Sequence, residues 1–113
     1  MNDYNLNIVF KALSEITRLR IMVLITGGEL CVCDLTEVLS LPQSTVSRHM
    51  SRLKNAGLVK DRRAGKWIYY RLDDSPAPSV TLLYHILKDL SQQTPYINDI
   101  ENLKKHKASK TCD

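Results

Sequence analysis

A chain of 113 residues with 43% hydrophobic and 25% charged side chains has the size and make-up of one small globular domain. No apolar run reaches the roughly 18 residues of a membrane span. The opening residues carry neither a basic segment nor a signal-like core, so a cytoplasmic protein with no membrane partner is expected. The net charge of +4 is unevenly spread. Residues 1–41 hold three basic and five acidic side chains (−2), residues 42–71 eight basic against Asp61 alone (+7), and residues 72–113 five basic and six acidic (−1). Cations gathered in one short segment are the footprint of a polyanion binder.

Val9, Phe10, Leu13 and Ile16 recur at helical spacing, which predicts a first helix over residues 5–13. Ser14 is the expected N-cap of a second helix running to Ile25, and the glycines at 27 and 28 stop it. The stretch ELCVCDL, residues 29–35, places Cys31 and Cys33 at the first turn of a short third helix, marked by Leu35, Val38 and Leu39. Leu41 is the turn, and Pro42 opens a fourth helix, where its missing N–H costs nothing. Val46, Met50 and Leu53 form its buried stripe, and Gly57 closes it.

Residues 58–63 and 66–72 read as two strands joined around Ala64–Gly65, a hairpin signal. The stretch DDSPAPS, residues 73–79, breaks the pattern. A long amphipathic helix over 79–92 follows, with Val80, Leu83, Leu87 and Leu90 on one face. Leu82 and Ile86 widen that face beyond what a small monomer covers, which reads as a homodimer surface. Residues 93–113 show no periodicity and are expected to form a flexible tail, leaving 1–92 as the working domain.

On a helical wheel of residues 43–55, Ser44, Ser47, Arg48, Ser51, Arg52 and Asn55 oppose the apolar stripe. Short hydroxyls let such a helix lie close to base edges, and Arg48 can reach a guanine bidentately. Gln43, Ser44 and Thr45, at the helix N-terminus, suit base edges or phosphate. His49 lies near the buried border and reads as a packed or hydrogen-bonded histidine. The third and fourth helices form a helix-turn-helix over about residues 33–56, and the hairpin over 58–72 a wing. Arg62, Arg63 and Lys66 near the wing tip suit phosphate or minor-groove contact.

The expected fold is therefore mainly α with a β-hairpin wing: a winged helix-turn-helix homodimer on double-stranded DNA. There is no C-x-x-C, no glycine-rich phosphate loop and no acid/base constellation, so neither an enzyme nor a catalytic cofactor is expected.

In a regular helix, residues i and i+2 point about 200° apart, so Cys31 and Cys33 can share one ion only where the chain turns non-helically. A helix N-terminus favours thiolate, and thiolates select soft ions. The segments ELCVCDL, STVSRHMSRLKNAGLV and GKWIYYRL together resemble the ArsR–SmtB family of metal-responsive winged-helix repressors, over Val9 to Leu90. KALSEITRLRI is similar to the family's entry helices, with Ile16 where proline is usual.

The cysteine box looks most like that of the arsenic- and antimony-sensing members. The resemblance implies a repressor that binds an inverted-repeat operator as an apo-dimer. Arsenite or antimonite at Cys31 and Cys33 would then release it. Thr36 stands where those members carry a third cysteine, so the third ligand is Cys112, a small thiol or water. Cadmium, lead, bismuth, an organoarsenical or thiol oxidation are the alternative signals. His85 and Asp89 have no second pair beside them, so no zinc site is expected on the long helix.

Overall fold

A computed structural model describes residues 6–74 and 78–109, except the side chains of 78 and 79. In chain order it comprises α1 (Leu6–Leu13), α2 (Ile16–Ile25), β1 (Leu30–Cys31), α3 (Val32–Leu39), α4 (Gln43–Asn55), β2 (Val59–Ala64), β3 (Trp67–Leu72), α5 (Pro78–Leu90) and α6 (Tyr96–Ser109).

Helix α2 is the hub. Ile21 to Ile25 are all buried, so its second half is apolar all round and is wrapped by other elements. Helix α4 buries Val46, Met50 and Leu53, each fully, and turns its polar residues outward. Full burial of each such side chain contributes about 1.5–3 kcal/mol, which ties the orientation of α4 to its apolar stripe. Ser40, in the left-handed region at φ 55°, ends α3, and the chain passes through Leu41 and Pro42 into α4. Tyr84 of α5 donates its hydroxyl to the Leu58 and Asp73 carbonyls, which anchors α5 beside the sheet.

Strands β2 and β3 form the expected hairpin, but its two-residue loop is Gly65–Lys66, with Ala64 still paired to Trp67. Gly65 takes φ 63°, a conformation that favours glycine at the first loop position. The sheet has a third, unanticipated strand: β1 pairs antiparallel with β3, Leu30 opposite Tyr70 and Cys31 opposite Tyr69. Two residues are too short to show an alternating pattern.

Three more expectations are corrected. Helix α2 is capped by Glu15, which is extended and accepts from the Arg18 N–H, whereas Ser14 donates its hydroxyl back to the Lys11 carbonyl. Phe10 is 55% exposed, so α1 turns only Val9 and Ala12 fully into the core. Residues 96–109 are helix α6, packed on α2 and α3, rather than a flexible tail. Its apolar stripe is short (Tyr96, Ile100, Leu103), and polar contacts supply the rest. Arg20 grips the buried Asp99 carboxylate bidentately at 2.9 and 2.8 Å, and His106 Nε2 lies 2.9 Å from Asp34. Among the described residues no helix is long and apolar enough to cross a membrane.

Candidate functional site

The outer face of α4 is as the wheel places it. Gln43, Ser44, Arg48, Ser51 and Arg52 are exposed, while Thr45 and Ser47 are half-buried on its flank. Among the described residues Arg48 is held only by a long 3.5 Å contact to the Thr45 hydroxyl, which leaves its guanidinium available. His49 accepts from the Arg18 guanidinium at 3.2 Å through Nδ1. Burial holds the His49 imidazole below its ordinary range, Arg18, Arg48 and Arg52 push the same way, and Glu15 opposes them. A neutral ring is the form that can accept from Arg18, so His49 ties α2 to α4 and does not face outward.

Seven of the eight cations of the basic segment, all but the half-buried Arg71, divide into two groups. Lys54 pairs with Asp61, Lys60 with Asp74, and Arg62 with Glu29. The last pair is bidentate, both contacts at 2.8 Å, and the Arg62 guanidinium also stacks 4.6 Å from the Tyr69 ring. The hydrogen bond to Arg62 lowers the Glu29 carboxyl pKa and raises that of the guanidinium. Arg48, Arg52, Arg63 and Lys66 are exposed and carry no ion pair among the described residues. Lys66 rests 5.1 Å over the Trp67 ring. Sequence reading counted the cations but could not see which already had a carboxylate.

The thiol segment is built into both the sheet and α3. Cys31 is a free, buried thiol at the N-cap of α3, extended at φ −80° and ψ 150°. Its sulfur accepts from the Cys33 N–H at 3.4 Å, and Asp34 accepts from the Cys31 N–H at 2.9 Å. This is a capping box with cysteine in the place serine or threonine usually takes. The other Asp34 oxygen accepts from His106, so a single carboxylate joins the thiol turn to α6. Asp34, His106 and Glu29 escaped the sequence reading. The C-x-x-D spacing from Cys31 to Asp34 was the one available signal.

Cys33, in the first turn of α3, is disulfide-bonded in this structure. Cys112 lies outside the described residues. Thr36 is one turn on from Cys33 and donates its hydroxyl to the Cys33 carbonyl at 2.8 Å. Cys33 and Thr36 line a cavity of about 240 Å³ together with Gln43 and Ser47 of α4 and Lys66 and Trp67 of the wing. Cys33, the start of α4 and the wing tip thus meet at one place.

With Cys33 reduced, the donor set would suit a thiophilic ion in part. Two sulfurs sit at the positive end of α3, one of them outside the helix as sharing an ion requires. Among the described residues no group of three or more cysteine, histidine or carboxylate side chains is placed to hold a metal.

A helix-turn-helix with an exposed polar second helix, flanked by a cationic hairpin, defines a winged helix-turn-helix DNA-binding regulator. Residues 16–61 match the bacterial regulatory protein, arsR family. The chain is 45% identical over 87 residues to the arsenic resistance transcriptional regulator ArsR1 of Pseudomonas putida, covering 76% of this chain and 68% of that protein. Reduced HlyU from Vibrio cholerae superimposes with a TM-score of 0.66 at 30% identity, over 76% of this chain and 87% of that one. A homodimeric winged helix-turn-helix domain from Mycobacterium bovis gives 0.64 at 29% identity, over 80% and 81%.

The chain belongs to the ArsR family, whose members are transcriptional regulators and not enzymes. It spans between 55% and 57% of the length of further curated relatives.

Proposed function

We propose that this protein is a homodimeric, cytoplasmic repressor that leaves its operator when trivalent arsenic or antimony binds the Cys31 and Cys33 thiolates. The observation that carries the reading is the shared cavity, in which Cys33 adjoins Gln43, Ser47 and Lys66. Cys31 at once caps α3 and pairs with Tyr69 of the wing strand. Drawing both sulfurs onto one ion displaces the α3 cap and the wing sheet together, and with them the residues that face DNA. A coupling of about 1–3 kcal/mol corresponds to roughly 5–150-fold in operator affinity.

In this reading Gln43, Ser44, Thr45, Ser47, Arg48, Ser51 and Arg52 meet bases and phosphates, while Arg63 and Lys66 meet backbone. Arg62 is chiefly a strut, since Glu29 already neutralises it. The partner copy covers the apolar side of α5, where Leu82 is 63% and Ile86 50% exposed, together with Phe10 of α1. Two recognition helices so paired read an inverted repeat with half-sites about 34–36 Å apart.

Two substitutions separate base from backbone contact. Arg48→Ala is expected to cost about 1–3 kcal/mol of discrimination between the preferred duplex and a scrambled one. Arg63→Ala is expected to weaken all duplexes alike and to lower the slope of log K against log salt by about 0.9, with a smaller change for Arg62→Ala. Equal slopes for wild type and Arg63→Ala, measured by anisotropy over a salt series, remove the wing from the interface.

A second reading has one observation in its favour. Cys33 is disulfide-bonded here, so thiol oxidation is a competing signal. Titrating DNA-bound, reduced protein with arsenite, antimonite, cadmium, lead, bismuth and hydrogen peroxide distinguishes the two. Release by arsenite and antimonite at the lowest concentrations is expected. Release by peroxide alone transfers the assignment to redox sensing.

A further inference from the structure

A second cavity, of about 350 Å³ and lined by no residue of α4 or the hairpin, lies between the end of α2, the end of α5 and α6. Its size falls within the roughly 300–1,000 Å³ of small-molecule sites. The walls are apolar, with Leu24, Leu30, Ile100 and Leu103 among them. Two successive glycines keep one wall bare. Gly28 has φ +140°, and a Cβ built there meets nothing within 4 Å.

The polar groups around this cavity are unequal. The Thr26 hydroxyl donates to the Val23 carbonyl at 2.6 Å and the Ser91 hydroxyl to the Lys88 carbonyl at 2.6 Å. The carbonyls at the end of α2, whose helix dipole disfavours an anion, are occupied by the Thr26, Gly27 and Gly28 N–H groups. Lys88, Lys104 and Lys107 remain. All three are exposed, and among the described residues none of them pairs with a carboxylate and no carboxylate lines the cavity. Lys88 is two positions from Ile86, on the other side of α5, so the face assigned to a partner copy leaves it open.

We infer that this cavity binds an amphipathic organic anion of the alkyl carboxylate class, its chain against Leu30, Ile100 and Leu103 and its carboxylate among the three ammonium groups. The inference stands apart from the metalloid reading and does not depend on it.

The test is isothermal titration of the full, reduced chain with decanoate and with decanol, its neutral counterpart. Saturable binding of one decanoate per chain is expected, with decanol at least about tenfold weaker, the value of one well-formed charge contact. Binding is expected to weaken with added salt. Lys104→Gln combined with Lys107→Gln is expected to raise the decanoate Kd about tenfold. These side chains are exposed, so this variant decides the matter even where the cavity-filling Leu103→Trp fails to fold. A folded Leu103→Trp is expected to give no decanoate heat. Absence of saturable binding, equal affinity for decanol and decanoate, or undiminished affinity in the double lysine variant overturns the proposal.

Discussion

Arg20→Ala is expected to destabilise the protein by about 3–5 kcal/mol, the range for removing one partner of a buried ion pair. Asp99→Ala is expected to cost less, about 1.5–3 kcal/mol. The asymmetry follows from burial: the Asp99 side chain is 4% exposed and the Arg20 side chain 28%. Without Arg20 the carboxylate is stranded inside the fold. Without Asp99 the guanidinium can turn towards water. Either loss is a large share of the roughly 5–15 kcal/mol that holds a domain of this size together. Urea midpoints at constant m-value measure both, and a greater loss for Asp99→Ala would contradict this account of how α6 is held.

The orientation of α4 carries the second large effect. Met50→Ala empties a fully buried position on the recognition helix and is expected to cost about 2–5 kcal/mol. Ser51→Ala, on the exposed face one residue away, is expected to stay within about 0.5 kcal/mol of wild type. The same pair reverses its ranking in DNA binding once each variant is compared at temperatures where it is folded. Similar urea midpoints for Met50→Ala and wild type would mean that α4 presents a different face.

What the sequence revealed and what it hid have physical causes. The stripe Val46, Met50 and Leu53 was legible because a helix with one wet and one dry face must repeat its apolar residues at that spacing, and all three are buried. The hairpin was legible from its strands and its glycine. Strand β1 was not, since two residues carry no period and the pairing of Cys31 with Tyr69 reaches across α3, α4 and β2 in sequence. Helix α6 was hidden for another reason. Asp99 and His106, polar residues that add nothing to an apolar period, are the groups that fasten it to Arg20 and Asp34.

The site shows the same division. Residue types and spacing gave the exposed polar face of α4 and the two cysteines at the start of α3. Glu29, which removes Arg62 from the set of free cations, was invisible because ion pairing between residues 33 apart leaves no local trace. The role of Cys31 as a helix cap was partly visible in the C-x-x-D spacing, and it bears on how the thiols are tested.

The central claim is that the Cys31 and Cys33 thiolates are the sensor. Serine is itself a preferred N-cap, so Cys31→Ser keeps the start of α3 while removing the soft donor. The decisive measurement is anisotropy of a labelled duplex, selected by the protein from a randomised pool, as arsenite is added under reducing conditions. Wild type is expected to lose roughly 5–150-fold in affinity. Cys31→Ser and Cys33→Ser are expected to bind the duplex as wild type does and to remain bound as arsenite rises. Cys112→Ser reports on the third donor through the arsenite concentration needed for release. Full arsenite-driven release from both the Cys31→Ser and the Cys33→Ser protein would contradict the account.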